Sequence, residues 1–217
     1  MKLFIDSGNI RDIQTLVDIG IIDGVTTNPS LLAKEPGDYR DNLKKICQIV
    51  KGPVSGEVTA TDFTGMMQQA HDIAKIDDHM VVKVPLTRDG IKACTALSGE
   101  AIRVNVTLCF SAAQALLAAK AGATFVSPFV GRLDDIATSG MDLIREIVDI
   151  YDNYAFRTEV LVASCRHPIH VVEAARAGAG VATCPPAVID QMFNHPLTNI
   201  GLEKFLKDWE KSQGVKA

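Results

Sequence analysis

Short apolar runs alternate with longer amphipathic stretches along the whole chain. The runs are KLFID (2–6), GVTTN (24–28), VSGEV (54–58), MVVKV (80–84), IRVNVTL (102–108), TFVSPF (124–129), EVLVAS (159–164) and GVATC (180–184). Each is short and rich in valine or other strand formers, which predicts eight strands. The stretches between them carry helical periodicity. In GMDLIREIVDIYDN, Met141, Ile144, Ile147, Val148 and Tyr151 recur at i, i+3 and i+4 spacing. In SAAQALLAAKAG, Ser111 predicts an N-cap with Gln114 at the capping-box position, and Gly122 a left-handed end. The joint recurs: AAKAGATFVSP (118–128), AARAGAGVATCP (174–185) and DIGIIDGVTTNP (18–29) each end a helix at glycine just before an apolar strand.

Parallel strands need crossover helices, so this alternation predicts a parallel sheet. Eight β-then-α units predict an α/β fold of the (β/α)8 TIM-barrel type. A doubly wound open sheet is the rival, but no G-x-G-x-x-G opens the first helix, where the chain reads IDSGNIRD. No linker or low-complexity stretch interrupts the pattern, so residues 1–217 read as one domain. An additional C-terminal helix is predicted over about 198–212, with Leu202, Phe205, Leu206 and Trp209 as its apolar stripe. It reads equally as a lid on its own barrel or as an arm reaching a neighbouring subunit.

Strands covered on both faces should be almost purely apolar, so their polar exceptions are informative. Asp6 ends the first strand, and Thr26, Thr27 and Asn28 end the second. Glu57 lies near the end of the third and Lys83 in the fourth. Asn105 and Thr107 sit in the fifth, Ser127 in the sixth, and Ser164 ends the seventh with Arg166 just beyond. Alternate residues of barrel strands point inward. Inward-facing groups at these positions would meet at the C-terminal mouth, where barrel enzymes keep their sites. Singly, each has a plainer reading. Asp6 reads as a helix cap or Asx-turn, and Asn28-Pro29-Ser30 as a turn. Glu57 and Lys83 read as a buried ion pair without chemistry, Arg132 as a surface arginine paired with Asp134 or Asp135, and Arg166 as another surface group. His167 and His170 lack the i, i+4 spacing of helical zinc ligands, and no other metal constellation is apparent.

Composition limits the partners. With 22 Lys and Arg against 26 Asp and Glu the net charge is −4, which marks no general nucleic-acid or anionic-membrane surface. No apolar run approaches the roughly 20 residues of a membrane span. MKLFIDSGN enters a strand and meets Asp6, so it does not read as a signal peptide. Five scattered cysteines without a CxxC pair fit reduced thiols and a cytoplasmic setting.

A lysine among valines points to imine chemistry. Desolvation in general favours a lysine's neutral, nucleophilic form, and nearby carboxylates oppose it. A neutral amine attacks a carbonyl to form an imine, and the protonated imine draws electrons from a breaking C–C bond. The cleavage needs a base for the β-hydroxyl, and Asp6 and Glu57 are the available carboxylates. Threonine and asparagine suit sugar hydroxyls or a catalytic water, and two arginines with a serine suit a phosphate.

FID, GVTTNPSLL, GEVTATD, VVKVPLT, NVTLCFS, SPFVGRLDD and VLVASCRHP occur in order at barrel spacing. This set resembles the transaldolase family, in its short single-barrel subfamily, over essentially the whole chain. The resemblance implies that Lys83 forms the Schiff base with a ketose phosphate, without a cofactor. It implies that Asp6 is the acid/base for C–C cleavage and that Glu57 and Thr107 activate a catalytic water. Asn28, Asn105 and Ser127 would contact the bound dihydroxyacetone unit, with Thr26 and Phe129 also lining the substrate site. Arg132, Ser164 and Arg166 would hold the phosphate. Ser7 stands where threonine is common, which removes no catalytic group. Fructose-6-phosphate aldolases of the same family carry glutamine in place of Glu57 and tyrosine in place of Phe129, so both letters here favour transaldolase over aldolase. A non-catalytic sugar-phosphate-binding barrel is the third reading. The resemblance also implies a homo-oligomer, a decamer of two pentamers with the C-terminal helix on a neighbour.

Overall fold

Valine-rich strands and capped helices alternate as their residues predict. The computed structural model describes residues 1–214. In chain order the elements are β1 (Lys2–Asp6), α1 (Ile10–Val17), β2 (Gly24–Thr26), α2 (Pro29–Leu32), α3 (Tyr39–Val50), β3 (Val54–Glu57), α4 (Phe63–Ala74), β4 (Met80–Pro85), α5 (Arg88–Gly99), β5 (Val104–Cys109) and α6 (Ala112–Lys120). There follow β6 (Phe125–Pro128), α7 (Val130–Asp134), α8 (Gly140–Asn153), β7 (Glu159–Val162), α9 (Pro168–Ala177), β8 (Val181–Cys184), α10 (Pro186–Phe193) and α11 (Pro196–Gly214). Every strand pairs in parallel with its sequence neighbour, and β8 returns to β1, closing the barrel.

Polar residues at the helix starts satisfy backbone N–H groups that have no partner within the helix. Asn9, Asn28, Asp38, Asp62, Thr87 and Ser111 each accept a hydrogen bond from the first turn that follows. Asn9, not Asp6, therefore caps α1. Gln114 reaches back past the cap, accepting from the Phe110 N–H at 2.8 Å. Gly122 takes the left-handed conformation, φ +82°.

The apolar faces of the helices pack on the outside of the barrel, with Ile13, Leu43, Ile46, Met66, Leu97, Ile144 and Ile147 fully buried there. Inside the barrel, a second cluster of Phe4, Val81, Phe125, Leu161, Val181 and Ala163 fills the lumen. Phe4 and Phe125 meet edge to face at 5.9 Å between ring centres. Gly24 belongs to this packing, because a Cβ there would stand 2.6 Å from the Phe4 ring. With the N-terminal end of the lumen plugged, only its C-terminal end is left for chemistry.

Helix α11 begins and ends slightly outside the range the sequence predicts. It buries no residue, and Leu202, Phe205, Leu206 and Trp209 are all more than half exposed. The lid alternative is thus corrected: this helix does not seal its apolar stripe on its own barrel. No helix is long and apolar enough to cross a membrane among the described residues.

Candidate active site

Strand register brings the polar exceptions to one end. Asp6 stands beside Thr26, Thr26 beside Ser55, Glu57 beside Lys83, and Lys83 beside Asn105. Residues in register on neighbouring strands face the same side, so these groups share the lumen. Lys83 is 5% exposed. Its Nζ lies 3.0 Å from Glu57 Oε2 and donates to the Thr27 carbonyl at 3.1 Å. The ammonium is thereby paired, as a buried charge must be.

Asp6 sits across the mouth. Thr26 donates its hydroxyl to Asp6 Oδ1 at 2.7 Å, and Thr26 Oγ1 lies 2.7 Å from Thr183 Oγ1. With Asp6 ionised, Thr26 has one proton to give and gives it to the carboxylate, so Thr183 donates to Thr26. Burial raises Asp6 above the ordinary carboxylate range, outweighing the opposing influence of the Thr26 hydrogen bond and the Lys83 charge. Asp6 is therefore a stronger base than a surface aspartate.

Asn105 is fully buried and engaged at both ends: its amide donates to Ser55 Oγ at 3.1 Å, and its carbonyl accepts from Ser127 at 2.8 Å. Thr107 is different. Its hydroxyl is the buried side-chain oxygen without a hydrogen-bond partner among the described residues. The strand is irregular here: the β5–β6 register shifts between Val106 and Cys109, and Leu108 takes φ +60° and is exposed. Such a bulge re-aims neighbouring side chains and is held only where the surroundings enforce it.

A cavity of about 270 Å³ opens at this end of the barrel. Nine of the sequence-predicted site residues line it: Asp6, Thr26, Asn28, Lys83, Ser127, Phe129, Arg132, Ser164 and Arg166. Asn105, Thr107 and Glu57 do not. The first two lie within the lumen, while Glu57 also faces a neighbouring cleft between α2, α3 and α4. Asn28 spends its side-chain carbonyl capping α2, leaving its amide NH2 for the cavity. Thr183 lines the cavity too and was missed from the sequence, although it is the polar exception of β8 in the same sense as Lys83 is of β4. Ser55, the partner of Asn105, was missed as well.

The arginines are arranged otherwise than their neighbours in sequence suggest. Arg166, not Arg132, pairs with Asp135, at 2.9 Å. Arg132 has no carboxylate within 4.0 Å among the described residues, so its guanidinium has no protein counter-ion there. Ser164 takes φ +60°, an unusual backbone for serine, at the turn that brings Arg166 to the cavity. No three His, Cys, Asp or Glu side chains converge as a metal site among the described residues.

A buried lysine beside carboxylates at the mouth of a closed parallel barrel, sharing its cavity with two arginines, defines the class: a (β/α)8 barrel enzyme with an amine at its centre. The family profile described as transaldolase/fructose-6-phosphate aldolase matches residues 3–215. The chain belongs to that family. It is 58% identical over 212 residues to a probable transaldolase of Nitrosopumilus maritimus, covering 97% of this chain and 96% of that one. It is 59% identical to probable transaldolases of Sinorhizobium medicae and Caldicellulosiruptor saccharolyticus, each over 98% of its relative. A solved structure described as native KDPGal structure superposes with a TM-score of 0.61 over 85% of this chain and 82% of that one. At 14% identity that likeness shows the fold alone.

Proposed function

We propose that the protein is a transaldolase, moving a dihydroxyacetone unit from a ketose phosphate to an aldose phosphate. The observation that carries this reading is Lys83, buried in the lumen with Glu57 at 3.0 Å and sharing its cavity with Asp6. The Lys83 amine adds to the ketose C2 carbonyl, and loss of water leaves an iminium. Asp6 takes the proton of the C4 hydroxyl, the C3–C4 bond breaks, and the aldose phosphate departs. The bonding electrons remain on the enzyme as an enamine. When the acceptor aldehyde arrives, the enamine carbon attacks it and Asp6 returns the proton to the new alkoxide. Water then hydrolyses the iminium. Glu57 beside the nitrogen, with the unpaired Thr107 hydroxyl, suits the handling of that water. Arg132, Ser164 and Arg166 hold the phosphate by charge-assisted hydrogen bonds. The substrates are sedoheptulose 7-phosphate and glyceraldehyde 3-phosphate, giving erythrose 4-phosphate and fructose 6-phosphate reversibly.

Glu57 and Phe129 favour transferase over aldolase, since glutamate moves a proton and glutamine does not. Assaying fructose 6-phosphate with and without erythrose 4-phosphate tests this. Turnover should depend on the acceptor. Rapid release of free dihydroxyacetone without acceptor sinks the transferase reading in favour of the aldolase.

The exposed apolar stripe of α11 supports assembly with further copies of this chain, in a decamer of two pentamers, and the five unpaired thiols suit a cytoplasmic setting. Light scattering that returns the monomer mass removes the assembly.

A further inference from the structure

Both arginines of the cavity stand on short connections after their strands: Arg132 on α7, after β6, and Arg166 in the loop after β7. Both connections are short, and α7 is barely more than a turn. They are joined first through their backbones. The Val130 N–H donates to the Ala163 carbonyl at 3.1 Å, and the Gly131 N–H to the Ser164 carbonyl at 3.2 Å. Gly131 permits this approach, because a Cβ there would collide with the Ser164 carbonyl and stand 2.6 Å from Arg166 Nε.

The second joint is His170, on the first turn of α9 and 5% exposed. The Arg166 N–H donates to its Nδ1 at 3.2 Å. That places the ring proton on Nε2, which faces Asp134 Oδ2 at 3.0 Å. The other Asp134 oxygen accepts the Gly140 N–H at 2.9 Å, at the start of α8. One imidazole thus ties the backbone of Arg166 to the end of the helix that carries Arg132. Burial and the charge of the neighbouring His167, whose tilted ring lies 3.9 Å away between centres, hold His170 below the usual histidine range, so Nδ1 keeps its lone pair at neutral pH. Its second link ends on a carboxylate, and hydrogen bonds to charged groups are the stronger ones.

We propose that His170 is a positioning residue of the phosphate site, setting the separation and aim of Arg132 and Arg166 without touching substrate. The proposal rests on the sugar-phosphate reading above. It assigns a role to a histidine that neither the imine chemistry nor the lumen network uses.

Two substitutions separate its two bonds. His170→Asn keeps an acceptor near the Nδ1 position and loses the link to Asp134. His170→Gln keeps a donor near the Nε2 position and loses the acceptor for the Arg166 N–H. The full-length variants are titrated with inorganic phosphate by 31P NMR, and separately reduced with borohydride in the presence of dihydroxyacetone, which carries no phosphate. His170→Asn, which loses the charge-assisted link, should weaken phosphate binding about tenfold, and His170→Gln about threefold, the losses expected for one charged and one neutral hydrogen bond. Both should form the dihydroxyacetone adduct at the wild-type rate, and the KM for fructose 6-phosphate should follow phosphate affinity while kcat holds. Unchanged phosphate binding in His170→Asn overturns the proposal. So does a parallel loss of adduct formation, which would make His170 a general packing residue. A wild-type chain that forms the adduct but binds no phosphate overturns the sugar-phosphate reading, and the proposal with it.

Discussion

The lumen of this barrel has two floors built on the same strands. The lower holds Phe4, Val81, Phe125, Leu161 and Val181, and is closed to water. The upper holds Asp6, Lys83, Ser127 and Thr183, each two residues further along four of those five strands. Two residues of a strand advance about 6.5 Å on the same face. A shift of that size therefore turns a dry plug into a set of charged and hydroxyl groups. The lower floor is satisfied by packing alone. The upper is satisfied by pairing: Lys83 with Glu57, Asp6 with Thr26, Asn105 with Ser55 and Ser127. The plug contributes stability, while the upper floor carries desolvated groups whose burial their own pairing has to offset.

Substitutions on the two floors should therefore fail differently. The largest effect on stability is expected below. Phe4→Ala empties a fully buried ring position and should destabilise the fold by about 3–5 kcal/mol in denaturant titration. Turnover should persist wherever the fold is intact. Collapse of activity with no loss of stability would reverse the assignment of the floors.

Next comes Thr107→Val, which conserves shape and removes a buried hydroxyl without a partner among the described residues. The transfer rate should fall about 100-fold, in the range of lost proton-transfer assistance. Midpoint stability should hold or rise, because a buried unpaired polar group is unfavourable. A substantial loss of stability with normal turnover would make Thr107 structural.

Asp6→Asn should abolish most turnover, and its smaller effect is the one read by stability. Burial raises the Asp6 pKa on folding. Its contribution to stability is then full below the unfolded value, about 3.9, and is lost as pH rises through the higher folded value. Asn keeps an acceptor for Thr26 and never ionises. The variant should melt higher than the wild type at pH 7. The gap should narrow as pH falls toward 4. A gap that widens on acidification would mean the fold stabilises the carboxylate.

The upper floor was legible in the sequence where a polar residue interrupts an apolar strand. MVVKV and IRVNVTL make Lys83, Asn105 and Thr107 stand out, because strands covered on both faces have little other reason to hold such groups. The strand ranges followed for the same reason. Thr183 escaped notice because threonine is itself a good strand former and one hydroxyl in GVATC is a weak signal. The exchange of partners between the arginines was not legible either. Asp135 lies three residues from Arg132 and 31 from Arg166, and only the seating of α7 on the β7 loop brings the distant pair together. His170 was visible as a histidine without metal spacing, but its two partners come from separate segments. The apolar stripe of α11 was evident, whereas its standing free of the barrel follows from tertiary structure alone.

Lys83 of the upper floor is the proposed nucleophile. Borohydride reduction of the enzyme with fructose 6-phosphate, followed by peptide mass spectrometry, tests it most directly. A reduced dihydroxyacetone adduct on Lys83, absent from Lys83→Met, is the predicted result. A folded enzyme that carries no adduct, or carries it on another lysine, would contradict the account.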